Sequence, residues 1–328
     1  MNDSYYQIRN EIFFQKFRYM SIEDFDSTIS KLLKDLYDRY ILSSNNLIER
    51  DRLKGLLIES FHLVDKLYEQ TYNNAVKEIA STLYLFSEIE SRNLGVTLAT
   101  NIMDEVFNEK NDKIFGYTFS QLFGASNTRL KNAIKTTLAS NMAQNRSIPK
   151  YESSIFAMQE RQSKANIRTA IRTYQKVLRE KVSNEYDKEL VKTANFLGWK
   201  SLATLDGRTT PICIYMNDKF YEKEKYASRE KIPEIPPRHF NCRSIIIRVY
   251  NSTYLNNVRA AVGDNGGESV NPNITFEQFL RANPNTALQL LGKDRYELWK
   301  AGRVNIKRFV DVDQNRFFSI DELREILS

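Results

Sequence analysis

Trp199-Lys200-Ser201-Leu202-Ala203-Thr204-Leu205-Asp206-Gly207-Arg208-Thr209-Thr210-Pro211-Ile212-Cys213-Ile214-Tyr215-Met216 is where the character of the chain changes. Trp199, Leu202, Thr204, Ile212, Ile214, Phe220 and Tyr221, then the run from Ser244 to Tyr250, have the β-branched and aromatic composition of strands broken by turns. Asn217-Asp218 separates Ile212–Met216 from Lys219-Phe220-Tyr221 and predicts a tight β-hairpin, because both turn residues tolerate positive φ. Gly263 to Pro272 predicts a flexible loop. Phe276, Phe279 and Leu280, then Leu288 to Trp299, and a short segment from about Ser319, predict a helical tail.

Upstream the texture is different. Of the seven prolines, Pro149 comes first and the rest follow Thr210, so most of the first two-thirds of the chain is free to be helical. Ile22, Phe25, Ile29, Leu32, Leu33, Leu36 and Tyr37 recur at helical spacing behind Ser21, which reads as an N-cap with Asp24 three residues on, and predict a helix over about 22–42. Apolar periodicity continues over 53–87 and 96–109 and more weakly to about 143, the pattern of packed antiparallel helices. Residues 145–150 read as a connector, and a further long helix is expected near 155–192. The expectation is a predominantly helical α+β protein. A helical N-terminal region spans 1–150; in 151–328 a long helix leads into a small hairpin-containing α+β domain and a helical tail.

With 328 residues, 41% of them hydrophobic, the chain has ample material for a core. No stretch approaches the roughly 20 apolar residues of a membrane-spanning helix, and the first residues lack the basic-then-apolar order of a signal peptide. Two cysteines, Cys213 and Cys242, are too few for a disulfide framework and fit assembly in reducing cytoplasm. A net charge of +7, from 48 basic and 41 acidic residues, eases contact with polyanions or acidic protein surfaces.

Four ordered blocks carry a resemblance. They are Ile167-Arg168-Thr169-Ala170-Ile171-Arg172-Thr173; Trp199 with Thr204 to Cys213; Pro236-Pro237-Arg238-His239-Phe240-Asn241-Cys242-Arg243-Ser244; and Leu291-Gly292-Lys293-Asp294-Arg295-Tyr296-Glu297-Leu298-Trp299-Lys300-Ala301-Gly302. Together they resemble the Mu F-like head-morphogenesis family of tailed-phage minor head proteins, over about 160–328. Many relatives carry Asp-Gly in the hairpin and a further cysteine after the Cys-Arg pair; here those positions hold Asn217-Asp218 and Ser244. The resemblance implies a minor structural protein of the virion, assembled in the host cytoplasm and recruited to the portal vertex inside the capsid. Its implied partners are the portal protein, other head proteins and packaged DNA, with roles in head assembly and DNA ejection and no enzymatic activity. The residues of the motif are Trp199, Asp206, Arg208, Thr209, Cys213, Pro237, His239, Asn241, Cys242 and Arg243.

The chemistry of these residues admits several readings. Cys213, His239 and Cys242 could ligate a tetrahedral zinc ion, the one cofactor the residues suggest, with Asp206 the only fourth candidate in the motif. The reading the residues favour is two buried thiols beside a hydrogen-bonded histidine, with a disulfide as the remaining alternative. Asp206, Arg208 and Arg243 have the makings of a structural tie between the motif halves, a turn carboxylate accepting backbone N–H bonds and a guanidinium fork. The alternative class is a metal-dependent hydrolase or nuclease carried in the virion; it needs further histidines, and only His62, far away in the chain, is present. A fused toxin is not expected, because the resemblance occupies the C-terminal part.

Arg161, Lys164, Arg168, Arg172, Lys176 and Arg179 are spaced 3 or 4 apart and form a basic stripe on a helix, opposite Ile167, Ile171, Tyr174 and Leu178. As an exposed face it suits DNA phosphate or an acidic portal surface; as a solvated face it needs no partner. Asp311 to Glu322 places oxygen ligands at positions 1, 3, 5, 9 and 12 of a calcium loop but has Arg316 where position 6 requires glycine, so Ser319 capping a short helix explains most of the pattern.

Overall fold

The computed structural model of the chain describes residues 9–10, 13–14, 17, 19–43, 47–98, 106, 112–144, 150–251, 259–271, 273–302 and 304–327. The fold is predominantly helical α+β, as the sequence predicts. The expected helix over 96–109, the connector over 145–149 and Pro272 lie almost wholly outside the described residues. Two compact units form, one from residues 17–88 and 99–179, the other from 1–16, 89–98 and 180–328. The division by sequence texture near residue 150 therefore differs from the division by packing, which cuts within a long helix.

In the first unit, α1 (Met20–Ser43), α2 (Leu47–Leu94), α3 (Phe119–Gln144) and α4 (Ile155–Leu190) supply helical segments, and β1 (Lys113–Ile114) pairs with β2 (Tyr117–Thr118). α1 buries Ile22, Phe25, Ile29, Leu33, Leu36 and Tyr37, the stripe that spacing predicts. Its start differs from expectation: the Tyr19 carbonyl accepts the first helical N–H bonds, and Ser21 donates its backbone N–H and its hydroxyl to Glu78 of α2. Aromatic pairs join the helices, Phe25 against Tyr68 at 5.0 Å, Tyr37 against Phe156 at 5.8 Å, and Phe119 stacked on Tyr174 at 4.5 Å.

The second unit carries the sheets. β3 (Phe196–Leu202) is the centre of an antiparallel sheet between β5 (Phe220–Glu222) and β6 (Ile245–Tyr250). A second sheet runs β4 (Leu205–Asp206), β7 (Arg259–Gly263), β8 (Gly266–Val270); β4 and β7 are parallel. Gly263 to Pro272, expected as a flexible loop, is therefore mostly an antiparallel hairpin, turned by Asp264-Asn265 with Gly266 at φ 92°. Its several glycines disguise a strand whose partners are supplied by the rest of the fold.

The hairpin expected around Asn217-Asp218 is corrected as well. Residues Pro211–Met216 form the short helix α5, with Thr210 extended before it and Pro211 in its first turn, where a missing N–H costs nothing. Ile212, Cys213, Ile214 and Met216 are buried from that helix. A five-residue apolar run does not distinguish a short helix from a strand by pattern. Asp218 alone takes positive φ, and the chain returns to β3 through Asp218 N–H to Ser201 O at 2.8 Å and Ser201 N–H to Lys219 O at 2.9 Å.

After the one-turn helix α6 (Lys223–Tyr226) and the sheets, the tail comprises α7 (Phe276–Ala282), α8 (Pro284–Leu291), α9 (Lys293–Lys300), the hairpin of β9 (Val310–Asp311) and β10 (Arg316–Phe317), and α10 (Ile320–Leu327). Phe276, Phe279, Leu280, Leu291, Trp299 and Leu323 enter one hydrophobic core with Leu205, Ile212, Cys213 and Cys242.

Candidate functional site

The two halves of the motif meet. Asp206, at the end of β4, is buried and spends both carboxylate oxygens on neighbours. Oδ1 accepts from Arg208 N–H at 3.0 Å, from Thr209 Oγ1 at 3.0 Å and from Arg243 Nη2 at 2.9 Å; Oδ2 accepts from Arg243 Nη1. Burial acts to raise the Asp206 carboxyl pKa, but the Arg243 guanidinium, the Arg208 N–H and the Thr209 hydroxyl together hold it below the usual carboxylate range. The tie between the halves is thus as expected for Asp206 and Arg243. Arg208 joins it only through its backbone, its side chain being exposed.

Beside this tie, Cys213 on α5 and Cys242 in the loop before β6 point at one another, with Sγ to Sγ 3.7 Å. Both cysteines are buried and unbridged, their sulfurs well beyond the roughly 2.05 Å of a disulfide bond. His239 Nε2 lies 3.3 Å from Cys213 Sγ and 2.8 Å from Thr210 Oγ1, while Nδ1 lies 2.8 Å from the Phe240 carbonyl oxygen. A carbonyl only accepts, so Nδ1 carries a proton and donates it. The ligand atoms of Cys213, His239 and Cys242 all lie within 4.8 Å of one another. Asp206, the one candidate the motif offers for a fourth ligand, is not in this group; its oxygens are held by Arg243, Thr209 and Arg208.

The Cys242 sulfur, both as hydrogen-bond partner and as neighbouring charge, combines with burial to push the Cys213 thiol pKa far up. Burial disfavours a charged His239, yet the Cys242 sulfur and the Phe240 carbonyl outweigh it and leave the imidazole pKa raised. Pro237 follows Pro236 through a cis peptide at the start of this loop, and Asn241 takes φ 60°, a conformation asparagine adopts more readily than most residues.

No protein-family model, curated protein or solved structure matches the chain.

The sequence reading missed the best-bonded part of this unit. Asp187, fully buried near the end of α4, accepts from Trp199 Nε1 at 2.6 Å, from Arg229 Nε at 2.6 Å and from Arg248 Nε. Arg229 also reaches Glu180 at 2.8 Å, and Arg248 reaches Glu90. Trp199 is therefore held by its indole N–H as well as by the packing of its ring. Asp187, Arg229 and Arg248 are widely separated in sequence, and nothing in their local patterns marks them as buried.

The basic stripe is corrected. Arg161 and Arg172 are exposed, but Lys176 and Arg179 are each only 7% exposed, and Arg179 sits 4.6 Å over the Phe86 ring. Lys164 bonds Glu160 and the Ser30 hydroxyl, and Arg168 pairs with Asp26. Helical spacing placed the six on one side of α4 without revealing that α1 and α2 supply partners to that side. In the calcium-like loop, Glu322 takes Arg316 and the Ser319 N–H, Ser319 Oγ accepts from Glu322 N–H at 3.2 Å, and Asn315 accepts from Ile212 N–H. The cap is present, and these would-be ligands are otherwise engaged.

Proposed function

We propose that this chain is a minor structural protein of a tailed-phage head, associated with the portal vertex and close to packaged DNA, acting in head assembly and DNA ejection. The observation that carries the reading is that three separated blocks of family resemblance pack into one core: Leu205, Ile212 and Cys213 from the first, Cys242 from the second, Leu291 and Trp299 from the third. Agreement scattered by chance over about a hundred residues has no reason to converge on one set of contacts. The polar residues of the motif are spent on internal bonds, Asp206 with Arg243 above all, which suits a scaffold more than an acid–base site. The experiment is mass spectrometry of purified procapsids assembled with and without portal protein. The chain is expected in the first and depleted in the second; equal incorporation without portal would remove the portal from the proposal.

A second reading is favoured by one observation, the convergence of Cys213, His239 and Cys242, which would suit a metal-dependent hydrolase or nuclease carried in the virion. It predicts DNA cleavage dependent on magnesium, manganese or zinc and abolished by His239→Ala. The structural reading predicts no cleavage with any of the three.

A further inference from the structure

We propose that Cys213, His239 and Cys242 form a binding site for a thiophilic divalent metal ion, zinc in the cell, with solvent completing the fourth coordination position. The inference stands apart from the head-protein reading and does not depend on it.

Three observations carry it. First, the ligand types are those zinc prefers, two sulfurs and an imidazole nitrogen. Second, two of the three ligand spacings already fit. Zinc bonds of about 2.3 Å to sulfur and 2.0–2.1 Å to nitrogen at tetrahedral angles require edges of about 3.8 Å between sulfurs and about 3.5 Å from sulfur to nitrogen. The protein holds Cys213 Sγ 3.7 Å from Cys242 Sγ and 3.3 Å from His239 Nε2, close to those edges, and keeps all three ligand atoms within 4.8 Å of one another, so a metal would enter by drawing the Cys242 and His239 side chains together. Third, the imidazole is oriented from behind. Nδ1 donates to the Phe240 carbonyl at 2.8 Å, which fixes the tautomer and leaves Nε2 with a lone pair toward Cys213 Sγ and the Thr210 hydroxyl, which the metal would displace. That outer bond to a backbone carbonyl is the habitual support of a metal-binding histidine.

The elements that present the ligands are independently fixed. Cys213 rides on α5, whose first turn is held through Ile212 N–H to Asn315 Oδ1 at 3.0 Å, and Cys242 precedes Arg243, which is tied to Asp206. Such a site would be formed by folding and not by the ion. Binding would release the two thiol protons to solvent and take the imidazole in its neutral form, leaving a dithiolate–zinc unit of zero net charge that suits a buried position.

The test uses the full-length chain. Protein made in zinc-supplemented cytoplasm and purified without chelator is expected to carry stoichiometric zinc. Replacing zinc with cobalt should give the strong visible bands of a tetrahedral ion together with a near-ultraviolet thiolate charge-transfer band. Cys242→Ser and His239→Gln should each weaken cobalt binding by more than the roughly 10–100-fold lost with an outer-shell partner. Zinc should also protect both thiols of the wild-type protein from alkylation. Because a variant may unfold, the wild-type result decides: a folded wild-type chain without zinc, with octahedral cobalt bands only, or with alkylation rates indifferent to zinc overturns the proposal. So does recovery of a Cys213–Cys242 disulfide from cells lysed into an alkylating quench.

Discussion

Asp206 is the residue on which the two halves of the motif depend. Asp206→Ala would remove the acceptor of the Arg208 N–H and the carboxylate that Arg243 grips, while the Thr209 hydroxyl keeps the Thr204 carbonyl at 2.5 Å. Arg243 is partly exposed and can recruit water, so the loss is set mainly by the part-buried Arg208 N–H, about 1–3 kcal/mol, readable as a shift in denaturant midpoint. Because the carboxyl pKa is depressed in the folded state, its contribution is present above the carboxyl's ordinary range and fades as pH falls through the folded value. The wild-type and Asp206→Ala stability profiles should accordingly converge in acid. Asp187 is the more demanding case, since it lies wholly buried between two guanidinium groups. Asp187→Ala is expected to cost about 3–5 kcal/mol, the usual result of stranding a buried charge. A loss below 1 kcal/mol would mean that Arg229 and Arg248 find other partners. The sequence declared Asp206 through its turn chemistry beside Gly207, whereas Asp187 looked like one more polar position on a long helix.

At the scale of elements, long helices were legible and short elements were not. α1 and α4 followed from spacing alone, because a period of 3.6 repeated over many turns leaves no rival. Pro211–Met216 and Gly263 to Val270 were misread because each is too short for a period and is decided by what it packs against. β3 shows how specific those partners are. Gly198 sits at φ 146°, and a Cβ there would stand 2.1 Å from the Tyr221 carbonyl oxygen on β5. Gly198→Ala is therefore expected to destabilise by at least about 1–3 kcal/mol, the cost of overpacking, and to loosen β5, seen as faster amide exchange over Phe220–Glu222. The cap of α10 adds a pH-dependent element. The Arg316 guanidinium and the Ser319 N–H hold the Glu322 carboxyl down to about 2, from an ordinary 4.5. The cap should be intact above pH 4.5 and lost as pH falls toward 2, with no change across neutrality. NMR titration of the Ser319 amide would follow it; a midpoint near 4.5 would contradict the bond.

For the whole molecule, the question is how much of the net charge of +7 is available to a polyanion. If all six cations of the α4 stripe reached phosphates, the log–log salt slope for duplex binding would be about −5, from roughly −0.9 per phosphate. Only Arg161 and Arg172 are both exposed and outside the bonded set, so this face should contribute a slope of about −2. Arg161→Gln with Arg172→Gln should remove that contribution and leave thermal stability within about 0.5 kcal/mol, as for most surface changes. Lys176→Gln with Arg179→Gln should do the reverse: these side chains are buried, and Arg179 covers Phe86, so melting falls while the salt slope holds. The sequence could not separate the two pairs, because helical spacing assigns residues to a side of a helix, and burial depends on what the remaining helices bring to that side. If the Lys176 and Arg179 double variant melted like wild type and flattened the slope by about 2, both side chains would have to face solvent, and the packing of α4 against Phe86 would be wrong.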